Sequence, residues 1–115
     1  MIVKNYLDSA PEASASHGGK GLVSNVRVLD RADFSTALRF VIYTELEPGT
    51  SIGYHQHGDD EGVYVILRGR GTLTVNGQTR PVKAGDTILN KPGWSHGLEN
   101  DSDGKMEILV FEVGR

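Results

Sequence analysis

From Leu22 onward the chain is cut into short apolar stretches by turn residues, and none of them carries the period of a helix. LVSNVRVL, LRFVIYTEL, SIGYHQH, GVYVILRG, DTILN and KMEILVFEV each have the length of a strand. Between them lie the turn signals Glu47-Pro48-Gly49, Ala84-Gly85-Asp86 and Lys91-Pro92-Gly93. GTLTVNGQTRPV is the clearest hairpin: Leu73 and Val75 alternate, and Asn76-Gly77 suits the left-handed corner of a type I′ turn. GVYVILRG is apolar at consecutive positions, as in a strand covered on both faces. RADFSTAL supports a single helical turn at most. Many short strands at this spacing predict an all-β fold, an antiparallel sandwich or barrel in one domain.

Ahead of the strands, residues 9 to 21 (SAPEASASHGGKG) are small, polar and glycine-rich. The expected division is an N-terminal arm over 1–21 and a barrel over 22–115. The chain has no cysteine, which excludes disulfides, thiolate metal sites and a cysteine nucleophile. Its net charge of −3 comes from interspersed signs, so no basic patch points to nucleic acid. No segment approaches the roughly 20 apolar residues of a membrane span. The N-terminus lacks a basic start followed by an apolar run, so a cytoplasmic protein is expected.

Three of the four histidines fall into two turn-bounded segments. His55-Gln56-His57 lies on a predicted strand, where alternate side chains share a face, so both imidazoles point the same way. His96 follows the hairpin in a second Gly/Pro-rich stretch. Neutral imidazoles aimed at one point make a poor core and a good part of a site for Zn, Fe, Ni, Mn or Cu.

The first segment reads Gly49-TSIGY-His55-Gln-His57-GDD-Glu61-GVYVILR-Gly69, the second Gly85-DTILNK-Pro-Gly93-WS-His96-GLE-Asn100. In residue type and spacing they resemble the two signature motifs of the cupin superfamily, over roughly residues 38 to 113. The resemblance implies a double-stranded β-helix (jelly-roll) barrel with a divalent transition metal in its mouth, held by His55, His57 and His96. It also implies a glutamate ligand separated from Gly69 by six residues, and here this chain departs from the pattern. That position is Gly62, and Glu61 is one residue early. On a regular strand one residue reverses the face, so Glu61 should turn to solvent and Gly62 inward; a bulge at Gly62 would swing Glu61 back. Loss of the carboxylate leaves a three-histidine site, as in cupin dioxygenases, and a metal that keeps its full charge.

Tyr64 and Ile66 share the face of Gly62. Tyr64 is the candidate catalytic side chain, offering a hydroxyl near the metal, with core filling as the alternative. Trp94 lines the pocket mouth or packs on a partner. Of Arg39 and Phe40 one faces the interior; an inward Arg39 would bind a substrate carboxylate, and otherwise it pairs with acidic neighbours. Lys91 stands where the motif has its first proline, and Asn100 is expected to tie down the turn after His96. Asp59, Asp60 and Glu61 read as a solvated loop or a pocket rim. His17, in the flexible arm, reads as exposed and without a role, unless the arm crosses to a second subunit or caps a barrel opening.

The function these readings imply is a metal-dependent enzyme on a small organic molecule, of dioxygenase, decarboxylase, isomerase or cyclase type. The alternative is a non-catalytic small-molecule binding or sensor cupin. Strands apolar on both faces, together with Ile2, Val3, Tyr6 and Leu7 in the arm, predict a homodimer.

Overall fold

The computed structural model describes all 115 residues. Ten strands form: β1 (Glu12–Ser14), β2 (Val23–Asp30), β3 (Leu38–Leu46), β4 (Ser51–Gln56), β5 (Asp60–Arg68), β6 (Arg70–Val75), β7 (Gln78–Lys83), β8 (Thr87–Asn90), β9 (Ser95–Glu99) and β10 (Met106–Gly114). The RAD of RADFSTAL makes one 3-10 turn, Arg31–Asp33, capped reciprocally by Asp30 and Asp33. Two sheets face each other, a six-stranded one in the order β1-β2-β3-β10-β5-β8 and a four-stranded one in the order β4-β9-β6-β7. Each pairing within them is antiparallel. This is the all-β fold that the strand pattern predicts, and the jelly-roll barrel that the resemblance implies.

The alternation in each strand decides what lies between the sheets. Tyr64 and Ile66 on β5 pack with Ile108 on β10, Ile88 on β8 and, from the facing sheet, Ile52, Leu73, Val82 and Leu98. Leu46, Met106 and Ile108 are completely shielded from solvent. The β6–β7 corner is a type I′ turn, with φ of 48° at Asn76 and 78° at Gly77. Asn100, also fully buried, donates to the carbonyls of Leu46 and Gly104 and accepts from Ser102, so it does tie down the turn.

The arm packs on its own barrel. Glu12–Ser14 extends the larger sheet as an edge strand beside β2, and Tyr6 stacks on Tyr43 with centroids 4.2 Å apart. Ser16 then bridges in parallel to Ile52, and Gly53 donates to the Ser16 carbonyl. Gly19 and Gly53 permit this crossing because a Cβ on either would overlap a backbone carbonyl, that of Ser51 or of His17. The consequence is that His17 lies over the barrel mouth.

Candidate metal centre

His55 and His96 are cross-strand partners on β4 and β9, and His57 follows β4 by one residue. Ring nitrogens of the three lie within 4.8 Å of one another. Nε2 of His57 is 2.8 Å from Nε2 of His96. Two features aim these nitrogens. His55 donates from Nδ1 to the Gly53 carbonyl at 2.7 Å, and His57 presents Nδ1 to Asp60 at 3.2 Å. With its proton held at Nδ1, each ring turns an unprotonated Nε2 toward the common point. The main chain adds rigidity, since the His57 amide donates to the Trp94 carbonyl at 2.8 Å.

Burial favours the neutral form of His96 and His55. His96 is fully shielded, and its pKa is pushed down to about 3, first by burial and then by His55, His57 and His17. His55 is also lowered, mainly by burial, against the opposing hydrogen bond to Gly53. Its close lone pairs have only each other: the Nδ1 of His96 is buried without a partner, and two imidazole nitrogens 2.8 Å apart either share one proton or bind a cation. Three neutral nitrogens converging in this way fit a divalent transition metal with open positions.

The site forms one end of a cavity of about 450 Å³, whose lining includes His17, Arg27, Phe40, Gly62, Tyr64 and Glu112. Strand β5 pairs regularly through Gly62 with β8 and β10, so no bulge rotates Glu61 inward. Gly62 is buried, and a Cβ built on it would stand 3.2 Å from Cε1 of His57. Glu61 instead lines a separate surface pocket with Lys91 and Pro92. Tyr64 is buried in the cavity wall, its ring 5.2 Å from that of His96, and burial followed by the charge of Glu112 raises its pKa, keeping the phenol protonated.

For several side chains the structure decides between the alternatives that the sequence leaves open. His17 stacks face to face on His55, with centroids 3.5 Å apart and planes at 8°, so the reading of an idle histidine is corrected: the arm caps the opening. Of the pair on β3, Phe40 faces the cavity, while Arg39 packs against Gly114 and pairs with Asp60 at 3.4 Å. Arg39 is therefore no substrate anchor; it supports the carboxylate that holds His57. Trp94 keeps its ring outside the cavity beside Lys91.

One carboxylate, Glu112, escaped the sequence reading, and a second, Asp60, lines the cavity as the pocket-rim alternative expects. Asp60 belongs to β5 and not to a solvated loop, and Glu112 on β10 stands 3.5 Å from Nδ1 of His57. Glu112 is raised to about 7 by burial, by its hydrogen bond with Asp60 and by the charge of Asp60. Burial also pushes Asp60 up, but Glu112, His57 and Arg39 together hold it below its ordinary value. The signal for Glu112 was present: Met106, Ile108 and Val110 form the inward stripe of β10, and Glu112 is its next member.

A cupin domain model matches residues 42–112. The chain is 33% identical over 113 residues to an oxalate-binding protein of Thermotoga maritima, covering 98% of this chain and 93% of that one. Among solved structures, that of a predicted oxalate decarboxylase from Thermotoga maritima superposes with a TM-score of 0.95 at 32% identity, over 99% of this chain and 100% of the other. The polyketide cyclase RemF from Streptomyces resistomycificus shares the fold, with a TM-score of 0.84 at 22% identity over 100% of this chain and 80% of that one. With both histidine motifs converging at the mouth of a jelly-roll barrel, and with these matches, the chain belongs to the cupin family.

Proposed function

We propose that His55, His57 and His96 hold a divalent transition metal (Zn, Fe, Ni or Mn), and that the centre binds a small organic acid, with oxalate the first candidate. The observation that carries this reading is the pair of anchored Nδ1 positions, His55 at Gly53 and His57 at Asp60, which leaves both Nε2 atoms unprotonated beside the buried His96, whose Nε2 stands 2.8 Å from that of His57. When bound, such a metal acts as a Lewis acid that polarises ligand oxygens and offsets their charge. Phe40, Ile42, Ile52 and Val110 give the cavity dry walls that strengthen those charge interactions. Similarity to an oxalate-binding protein over nearly the whole chain supports the ligand class.

Turnover is the second reading, favoured by two proton-bearing groups in the cavity wall. Tyr64 keeps its phenolic proton and Glu112 exchanges one near neutral pH, so either is able to deliver a proton to a reacting ligand. Calorimetric titration of oxalate into metal-loaded and metal-free protein tests binding, and a formate assay on the same samples tests decarboxylation. Oxalate affinity only in the loaded protein is expected; equal affinity without metal, or none with it, refutes the proposal.

A homodimer is part of the same proposal. The outer face of the larger sheet carries the apolar row Val41, Phe111, Val63 and Leu89, one residue from each of four adjacent strands. Ile2, Val3 and Leu7 of the arm are also exposed, and a second copy covers such a surface at low cost. Light scattering should give twice the 12.5 kDa chain mass; a monomer mass at micromolar concentration refutes it. No helix of the chain is long and apolar enough to cross a membrane.

A further inference from the structure

On the inner face of the larger sheet, Glu112, Gly62 and Asn90 are direct partners across β10, β5 and β8. Side chains opposite one another in antiparallel strands have Cβ atoms about 4.5–5.5 Å apart, so Gly62 is a gap between two polar neighbours. The gap abuts the metal centre: a Cβ there would meet Cε1 of His57 at 3.2 Å and Nε2 of His57 at 3.8 Å. Asn90, on its far side, is completely shielded from solvent, yet neither end of its amide has a hydrogen-bond partner. A buried amide with both ends unmet is rare in a folded chain and calls for a partner, whether water or ligand.

We propose that the Gly62 gap is a receptor for a carboxylate of the ligand, which takes the position a side-chain carboxylate would otherwise occupy and accepts a hydrogen bond from Asn90. The proposal rests on the metal-centre reading and names how that centre recognises its ligand. Three points select a carboxylate. The Asn90 side chain offers N–H donors, which a carboxylate oxygen accepts. Three neutral histidines leave the charge of a divalent ion uncompensated, so an anion beside His57 is favoured. Glu112 cannot fill the gap itself, because its carboxyl is engaged with Asp60 and lies on the Nδ1 side of His57. A glycine at 62 is then a binding device, since any side chain there would occupy the ligand's place and press on His57.

The test uses the full chain, with metal and then oxalate or acetate titrated by calorimetry. Gly62→Glu places a tethered carboxylate in the gap. It should bind metal at least as tightly as the wild type and lose oxalate affinity by tenfold or more. Asn90→Leu should keep metal affinity within about threefold and weaken oxalate about tenfold. Because it removes an unmet buried amide, its thermal midpoint should rise while binding falls, which separates a ligand-binding role from a structural one. If Gly62→Glu binds oxalate like the wild type, or Asn90→Leu leaves oxalate binding unchanged, the receptor assignment is overturned, and the amide is bridged by water alone. If the metal-loaded wild type binds neither carboxylate, it is overturned as well. A wild type that takes up no metal refutes the metal centre first, and this assignment with it.

Discussion

The two walls of the centre are built on different principles. The β4–β9 wall supplies three imidazoles, and the aim of two is set by nearby groups: Gly53 for His55, and Asp60 with the Trp94 carbonyl for His57. The β10–β5–β8 wall supplies Glu112, Gly62 and Asn90, which lie far apart in sequence and share a row only through strand register. On the proposed reading the first wall is organised for a cation before any arrives. The second leaves a gap and an unbonded amide, the features of a surface finished by its ligand. On that reading the dependence runs one way: substitutions on the second wall should spare metal binding, whereas loss of a histidine from the first should cost ligand binding as well.

The largest effect is expected on the histidine wall. Ala at His55, His57 or His96 should weaken metal binding beyond about 100-fold, read by elemental analysis after dialysis and by titration. Circular dichroism should still report the barrel. If Asn90→Leu cost as much metal as these variants, the division between the walls would collapse.

Asp60→Asn comes next, because Asp60 joins the walls by holding His57 at Nδ1 and pairing with Arg39. Outer partners of metal-ligating histidines are worth about 10–100-fold in affinity, and a loss in that range is expected. A metal affinity equal to the wild type's would mean that main-chain contacts alone orient the ring.

Glu112→Gln tests the second wall through stability. Glu112 titrates at about 7 in the folded chain against an ordinary 4.5, so between those values the native state keeps a proton that the unfolded chain has released. Its contribution to stability therefore falls as pH rises through that window and stays lost above it. His96, depressed from 6.5, acts in the opposite sense, losing stability as pH falls below its ordinary value; the difference between variant and wild type cancels this. The metal-free variant should melt on the order of 5 °C above the wild type at about pH 8, and level with it near pH 4.5. A constant difference across the range would assign the effect to packing.

The smallest effect belongs to His17→Ala. Stacking of this kind contributes about 0.5–1.5 kcal/mol, so a fall of a few degrees in thermal midpoint is expected. Metal affinity should stay within about threefold, since His17 is outside the group of converging nitrogens. A loss as large as that of His55→Ala would make His17 a ligand.

Much of the first wall is legible because it is local. His-x-His on a strand, the Asn76-Gly77 corner and the turn before His96 encode their geometry within a few residues. Gly62 is legible by the same period of two. Of the two readings of Asp59-Asp60-Glu61, the pocket rim holds at Asp60 and the solvated loop fails there, because a loop and the first residue of a strand look alike in charged sequence. What distinguishes Asp60 is its partners, His57 and Arg39, which only folding brings near it.

Legible in the sequence are the strands from β2 onward, the all-β class, the shared face of His55 and His57 and the absence of a carboxylate at position 62; the resemblance to cupins adds the jelly-roll barrel and His96. The former follow from alternation, turn chemistry and spacing, all short-range properties of the chain. The tertiary structure alone decided that Glu112 and Asn90 flank Gly62, that Arg39 braces Asp60, and that His17 lies on His55. Each of these depends on which strands pair, in what register, and where the arm crosses the mouth. Those choices are set by the packing of the whole barrel, in which the partner of a residue is fixed by ladders between strands as distant as β5 and β10.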